Sequence, residues 1–483
     1  MRENDEVAAA AYDLVLAGGQ IANADGTFPG TVAIQDGRIA AVWHADAIPD
    51  LIEATEVLDC SGRWVIPGGV DPHVHVGITF GDVQTPEDHL RCSRAALLGG
   101  TTTIVDFAIG RPDQSPLAAV DERLAGAREG SLADYALHGC YTDRDAEQLD
   151  QIPDLVDRGV RTIKVYTTYR EQMMASDGLV RSIMERLMGF DGMTYVHAED
   201  NSTIETLMAQ LAGQGPIPYD KIRVARPEAA EVRAVRHVLE IAADVGAPVY
   251  FVHQSTPVAS QLTRMARARG QLAYSEVCPH YVTLDESVYD AHAGECYTCC
   301  PPLRNKATVE SLMRAVAAGH VDTIGSDHCA FGAAIKLERK HDLTRMPFGM
   351  PGVQTRVPLM LSELVCKRDV SMSTVVSLLS TNPARLCGLY PRKGVIAAGA
   401  DADLLVWSPE GESTLTAAGL AHDSDYTPFE GWRVQGSLST VIRRGTVMCR
   451  DGALVDDSPG QLLASGPISH TGPVALPGRQ LSA

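Results

Sequence analysis

Short apolar runs alternate with longer amphipathic segments through the middle of the chain. The amphipathic segments include PEAAEVRAVRHVLEIAADVGA and KATVESLMRAVAAGH, whose patterns are helical. We find eight apolar runs of strand length, namely WVIPGGVDPHVHV, TTTIVDFAI, YALHGCYT, TIKVYTTY, MTYVHAED, PVYFVHQS, LAYSEVCPH and TIGSDHCAF. Strands that alternate with helices indicate βα units and a parallel sheet. The sequence therefore predicts an α/β protein with a TIM-type (β/α)8 barrel over residues 67–390.

The two ends of the chain have a different pattern, in which short apolar runs are separated by Gly, Asp and Asn. DLVLAGGQIA and EVLDCSGRWVI near the start and SLSTVIRRGTVMCRDGALV near the end are examples. Such runs predict strands joined by turns. We therefore expect residues 1–66 and 391–456 to form one small composite β-sandwich domain. Residues 457–483 are rich in Ser, Gly and Pro and are expected to be a C-terminal tail, ordered only where a partner surface holds it.

Composition and charge narrow the class of protein. The chain has 483 residues, of which 45% are hydrophobic and 21% charged, as in a globular enzyme. A net charge of −20 disfavours nucleic acid and anionic membranes as partners. The N-terminus lacks the basic and apolar regions of a secretory signal, and no run reaches the roughly 18 apolar residues of a membrane span. Together with eleven scattered cysteines, these features predict a cytoplasmic protein with reduced thiols.

Six polar side chains stand at the ends of five predicted barrel strands, where functional groups of such barrels cluster. His73 and His75, in HVH, share one face of the first strand because residues i and i+2 point the same way. The other four follow later apolar runs and are Lys164, His197, His253 and Asp327. Any one of them alone is more often structural. Six of them on one edge of a barrel predict a metal centre.

Lys164 is the unusual member, because an ammonium group has no lone pair for a metal. A neutral lysine can react with carbon dioxide to give an anionic carbamate, and burial beside cations favours the neutral amine. A carbamate on Lys164 would bridge two divalent ions, which can share a hydroxide and polarise a carbonyl. One ion would be held by His73, His75 and Asp327, and the other by His197 and His253. Zinc suits these ligands best, although cobalt or manganese would also fit.

At this point the chain resembles a known group, the dihydropyrimidinases and hydantoinases of the amidohydrolase superfamily. The matching stretches include VIPGGVDPHVHV, GVRTIKVYTTY, VHAED, VHQSTP, EVCPHYVTLDES, TIGSDHCAF and STNPARLCGLYPRKGVIAAGADADLLVW, and they extend over nearly the whole chain. The resemblance implies a barrel with a composite β-sandwich, a binuclear centre on a carboxylated lysine, and an oligomer, a tetramer or a dimer. It also implies a small cyclic amide as substrate, whose ring is opened by water.

The resemblance assigns further roles. Tyr169, five residues after Lys164, lies where the family has a tyrosine that binds the substrate carbonyl and the tetrahedral intermediate, which a phenol can do by donating a hydrogen bond. Asp327 would also shuttle a proton to the leaving nitrogen. Phe80, in GITFGD, resembles a gate-loop residue that contacts the exocyclic group of the substrate. Ordinary loop packing is the alternative for Phe80 and for Tyr169.

Two expected substrate contacts depart from the family pattern. Cys300 stands where the family often has Ser, and Phe348 stands where it often has Asn before Gly349. The family holds the cyclic imide at these positions largely through backbone groups, so we expect ring binding to persist in a pocket of altered shape and polarity.

Three other functions compete with this interpretation. Dihydroorotase typically has Arg two residues after HxH, and allantoinase often has Asn there, whereas this chain has Gly77. Without that cation we expect uncharged cyclic ureides or imides to be preferred to dihydroorotate. A non-catalytic interaction protein of the same fold is the third alternative, but such relatives have lost metal ligands that this chain retains.

Overall fold

The computed structural model describes residues 12–49 and 51–468. Its strands are β1 Tyr12–Asn23, β2 Gly26–Gln35, β3 Arg38–His44, β4 Ala54–Asp59, β5 Trp64–Pro67, β6 Gly69–Val74, β7 Thr79–Phe80, β8 Val83–Gln84, β9 Thr101–Ala108, β10 Asp134–Cys140, β11 Thr162–Tyr166, β12 Met193–His197, β13 Val249–Phe251, β14 Ala273–Val277, β15 Thr323–Ile324, β16 Leu404–Thr414, β17 Arg433–Arg443, β18 Thr446–Arg450 and β19 Ala453–Leu454.

Its α-helices are α1 His89–Leu98, α2 Pro116–Gly130, α3 Ile152–Asp157, α4 Asp177–Met188, α5 Asn201–Ala212, α6 Ile222–Ala225, α7 Glu228–Val245, α8 Pro257–Ala268, α9 Pro279–Thr283, α10 Lys306–Ala317, α11 Ala333–Arg339, α12 Arg356–Met360, α13 Met372–Val376 and α14 Asn382–Leu386. Short 3-10 segments join several of them, and π-helical turns at Leu361–Cys366 and Ser377–Thr381 continue α12 and α13.

Eight parallel strands form the barrel, in the order β15-β14-β13-β12-β11-β10-β9-β6. The sheet closes where Val74 pairs in parallel with His328, and the amide of His75 donates to the carbonyl of His328 over 2.8 Å. Each strand coincides with one of the eight apolar runs, with β10 beginning one residue earlier at Asp134, so the predicted (β/α)8 barrel is confirmed. Closure brings the end of the first strand beside the segment that follows the last, and therefore brings HVH beside Asp327.

Helix α7 illustrates how the sequence builds the outer layer. It begins after Pro227 and ends at Gly246, whose φ of 74° is the left-handed conformation that glycine adopts readily. Its buried residues recur at intervals of three or four and include Ala234, Val238 and Ala242. This apolar face packs on the barrel and on α8, and the chain then enters β13.

The strands from the two chain ends form a separate nine-stranded sheet. Its order is β19-β18-β17-β16-β5-β1-β2-β3, with β4 paired to β1. Leu16 and Val32 from the N-terminal part share a core with Leu404 and Ile442 from the C-terminal part. The prediction that both chain ends build one β domain is therefore confirmed, whereas the exact domain boundaries stay a prediction.

Residues 457–468 extend over the barrel. The amide of Tyr135 donates to Gln461 over 3.0 Å, the amide of Leu463 donates to Tyr135 over 2.7 Å, and Leu463 and Ile468 are buried. The rest of the expected tail, residues 469–483, lies outside the described residues. All eleven cysteines are unpaired. Among the helices of the described residues, none has both the length and the apolar character needed to cross a membrane.

Candidate metal centre

His73, His75 and Asp327 converge where the barrel closes. The Nε2 atoms of the two histidines are 3.2 Å apart, and Asp327 Oδ1 lies 3.0 Å from His73 Nε2 and 3.2 Å from His75 Nε2. Nitrogen and oxygen ligands of a tetrahedral zinc ion, at about 2.0–2.1 Å from it, lie about 3.4 Å from one another. The three atoms are thus spaced like ligands of a single ion.

Buried carboxylates orient the imidazoles. Glu276 Oε1 accepts from His73 Nδ1 over 2.7 Å, so the lone pair of His73 Nε2 faces His75 and Asp327. Glu276 also accepts from the amide of His253 over 2.9 Å and from the hydroxyl of Tyr250 over 2.7 Å. A carboxylate behind a ligand histidine is the usual arrangement around metals in proteins. The donor set therefore fits a divalent cation.

His197 and His253 lie next to this trio. Their ring centroids are 4.6 Å apart, and that of His253 is 5.4 Å from that of His73. His197 Nε2 donates to Glu199 Oε2 over 2.8 Å, which leaves its Nδ1 free to act as a ligand. His253 Nδ1 is buried and has no hydrogen-bond partner among the described residues. Two nitrogens alone would be too few to hold an ion, so an ion on this side would need a third donor.

Lys164, the predicted third donor, lines the same cavity as both histidines. It is buried in β11, and its Nζ lies 4.7 Å from the ring centroid of Phe107 and 5.0 Å from that of Tyr166. Burial lowers the pKa of Lys164 to about 8, against the opposing effect of Asp327 and Glu276. The amine therefore loses its proton more readily than an exposed lysine, and the neutral amine is the form that reacts with carbon dioxide.

Neighbouring charges and burial shift the pKa values of His73 and Asp327 in opposite directions. Burial disfavours protonation of His73, yet Glu276 and Asp327 raise its pKa to about 9. Burial lowers the pKa of His75 and of His197. Burial also disfavours ionisation of Asp327, but its pKa is held well below the usual range by His73 and His75. Glu276 and Asp327 thus supply negative charge that a bound cation would neutralise.

A cavity of about 80 Å³ opens in front of these groups. It is lined by five of the predicted ligands, all except His73, and by Tyr169, Cys300 and Phe348. The three expected substrate contacts therefore meet at one cavity with the candidate ligands. The side chain of Phe80, the fourth, lies outside what the structure describes. Its backbone belongs to the two-stranded hairpin β7–β8, and the preceding Thr79 lines the cavity.

Backbone strain concentrates at the same place. Tyr169, His253 and Asp327 have φ values of 67°, 38° and 49°, in the region that residues with a Cβ rarely occupy. Such conformations persist only where the surrounding structure imposes them, and they cluster at functional sites.

Sequence reasoning missed the residues around the ligands. Glu276 and Glu199 both bind a candidate ligand, and Arg226 pairs with Glu199 while its guanidinium lies 4.7 Å from the ring centroid of Tyr169. The signal for the two glutamates was a buried acid at a strand end, in YSEVCPH and VHAED. No local signal marks Arg226. Two further groups could hold an ion, one of Cys278, His280 and Asp327 and one of Glu87, Cys92 and His328.

Comparisons with known proteins agree with this geometry. The profile of the family described as Amidohydrolase family matches residues 64–448. The D-phenylhydantoinase of Escherichia coli O1:K1 / APEC is 34% identical over 442 residues, which is 91% of this chain and 95% of that protein. The crystal structure of dihydropyrimidinase from Brevibacillus agri NCHU1002 has a TM-score of 0.88 at 30% identity and covers 94% of this chain and 99% of its own. The D-hydantoinase from Bacillus sp. AR9 has a TM-score of 0.89 at 32% identity, with the same coverage.

The barrel and the cluster of histidines at its strand ends are those of a hydrolase, and the chain belongs to the amidohydrolase family. Within that family, the relatives to which it is similar along nearly its whole length are hydantoinases and dihydropyrimidinases.

Proposed function

We propose that this hydrolase opens an uncharged cyclic ureide or imide by adding water across a ring C–N bond. The convergence of His73, His75 and Asp327, beside a buried lysine and two more histidines, is the observation that carries the proposal. In the net reaction, hydroxyl adds to the ring carbonyl carbon, hydrogen adds to the ring nitrogen, and the C–N bond between them breaks. The similarity to proteins named hydantoinase and dihydropyrimidinase supports a cyclic ureide or imide as substrate.

Two divalent ions, with zinc as the first choice, would be held in this centre. His73, His75 and Asp327 would bind one ion, and His197 and His253 the other, with a carbamate on Lys164 between the two. Ions bound there would acidify water and polarise the ring carbonyl. The orphaned Nδ1 of His253 and the facing lone pairs of the first three ligands support this assignment.

The protein's own residues would then transfer the proton and stabilise the developing negative charge. The carboxylate of Asp327 accepts a proton from the attacking water and passes it to the leaving nitrogen. Burial keeps the phenol of Tyr169 protonated, since it raises the pKa well above the ordinary value, and the phenol therefore donates to the oxyanion that forms at the attacked carbon. The backbones of Cys300 and Phe348 hold the ring.

Two positions near the cavity bear on the charge of the substrate. Gly77 occupies the position where dihydroorotases carry their carboxylate-binding Arg. The nearby Arg226 is paired with Glu199, so its charge is already neutralised. An anionic substrate would therefore find no free partner at either position.

We also propose a cytoplasmic location and assembly into a tetramer or dimer. The proposed domains are residues 1–66 with 391–456, residues 67–390, and residues 457–483.

A ring-opening screen of metal-loaded protein tests the proposal. Hydantoins, dihydrouracil and other uncharged imides should be opened with higher kcat/KM than dihydroorotate or allantoin. Chelation should abolish activity, and zinc, cobalt or manganese should restore it. His253→Asn should lose metal and turnover, whereas the exposed control His237→Asn, at a histidine paired with Asp177, should retain both. Full activity of metal-free protein, or dihydroorotate as the best substrate, would contradict the proposal.

A further inference from the structure

Lys336 is a buried lysine that none of the roles above uses. It lies on α11 with no exposed surface, and among the described residues no carboxylate oxygen is within 4.0 Å of its Nζ. Its Nζ instead donates to the carbonyl of Gly349 over 2.6 Å, to the carbonyl of Thr298 over 3.0 Å and to the hydroxyl of Thr298 over 3.1 Å. The cation therefore joins two loops that are 51 residues apart in sequence, at positions 298 and 349.

Both loops reach the substrate cavity. Cys300 comes from the first loop, Phe348 and Gly349 come from the second, and all three line the cavity wall, whereas Lys336 does not. The loops also bond directly, because the amide of Gly349 donates to the carbonyl of Thr298 over 3.0 Å. Lys336 thus sits behind the wall and bonds to the same two residues that pair the loops.

At Gly349 the second loop passes close to its neighbours, and few groups besides Lys336 hold its backbone in place. Gly349 has a φ of 140°, and a Cβ added there would lie 2.6 Å from Cβ of Cys329, so the backbone passes too close for a side chain. Its carbonyl has one other hydrogen-bond donor among the described residues, the hydroxyl of Tyr426 at 3.4 Å. Losing Lys336 would leave this buried carbonyl with one long hydrogen bond, which is unfavourable.

We propose that Lys336 is a positioning residue for substrate binding, which holds the 298–300 and 348–349 backbones at the spacing that the cyclic imide requires. This inference rests on the proposed function, because it assumes that these backbones hold the ring. A buried ammonium without a counter-ion is unfavourable by itself. The presence of this ammonium is explained if it holds the two loops that contact the substrate.

Lys336→Met removes the donors and keeps a similar side-chain length, and Lys336→Arg keeps a charge and donors. With hydantoin and dihydrouracil as probes, Lys336→Met should raise KM about tenfold or more while kcat and metal content stay near wild type, which is the pattern for lost uniform binding. Lys336→Arg should give an intermediate KM. The matched control is Lys393→Met, at a buried lysine that pairs with Asp134 and Asp403 away from the cavity, and it should lower stability without raising KM.

Amide hydrogen exchange supplies a readout that does not depend on activity. Lys336→Met should speed exchange in peptides that cover 296–300 and 348–350, whereas Lys393→Met should not. If wild type opens neither probe, the proposed function fails, and exchange alone then decides whether Lys336 fixes the loops. A folded Lys336→Met variant with wild-type KM, or with unchanged exchange in both loops, overturns the inference. If Lys336→Met does not fold, the same two measurements on Lys336→Arg decide it.

Discussion

Glu276→Gln should weaken metal binding without disturbing the barrel. Glu276 is fully buried and accepts three hydrogen bonds, from His73 Nδ1, the amide of His253 and the hydroxyl of Tyr250. A glutamine has the same shape. Its amide oxygen can still accept from His73 and His253, and its NH2 group can donate to Tyr250. The substitution therefore removes the negative charge behind His73 and leaves most of the hydrogen bonds in place.

The magnitude follows from that lost charge. A carboxylate behind a ligand histidine makes the ligand more basic, and its loss typically lowers metal affinity by about 10- to 100-fold, or about 1.4–2.7 kcal/mol. Turnover should fall at limiting metal and recover partly at excess metal. The assay is competition with a chromogenic chelator, together with metal analysis of the dialysed protein.

Glu231→Gln is the matched control. Glu231 is also buried and accepts from the amides of Ser255 and Thr256 over 3.0 and 3.2 Å, but it contacts none of the candidate ligands. The Glu231→Gln variant should be less stable than wild type and keep wild-type metal affinity. If Glu276→Gln retained metal within twofold of wild type, or if both variants lost it equally, the carboxylate would not tune the metal site and the reasoning would be refuted.

Three further predictions concern single side chains. Lys164→Arg keeps a cation but cannot form a carbamate, so metal analysis should find fewer than two ions per chain, and the activity assay should find no turnover. Wild-type metal content and rate would make Lys164 a purely structural cation. Tyr169→Phe should lower kcat about 100-fold or more, as loss of one oxyanion donor does, with metal content unchanged in the same analysis. Burial lowers the pKa of Lys336 to about 8 from 10.5, so between these values the unfolded chain holds a proton on Lys336 that the folded chain lacks, and the contribution of Lys336 to stability should rise with pH. Urea titrations should show wild type gaining stability relative to Lys336→Met over this pH range, by about 1.4 kcal/mol per pH unit at most.

The barrel could be predicted because its strands are buried on both faces and are therefore continuous apolar runs. A polar residue that ends such a run stands out, and this revealed the candidate ligands such as His197 and Asp327. Glu276 lies inside the seventh run, one residue before the strand ends, so it does not stand out as a residue that ends a run. Lys336 lies in AAIKLERK, where a lysine among other charges is typical of a solvated helix face. Its burial depends on contacts with Thr298 and Gly349, which only the folded chain brings together.

The chain departs from the family pattern at Cys300 and Phe348, but the backbone that would bind the substrate ring can still be in place. Cys300 and Phe348 change the side chains that face the cavity, yet the neighbouring backbone is held by groups outside it, since Lys336 bonds to Thr298 and Gly349. Side chains on such a wall can be replaced while the carbonyl and amide groups of the backbone keep their positions. Binding of the ring and recognition of its substituent would thus depend on different groups. A change such as Phe348 should therefore alter which substituent is accepted more than whether the ring is opened.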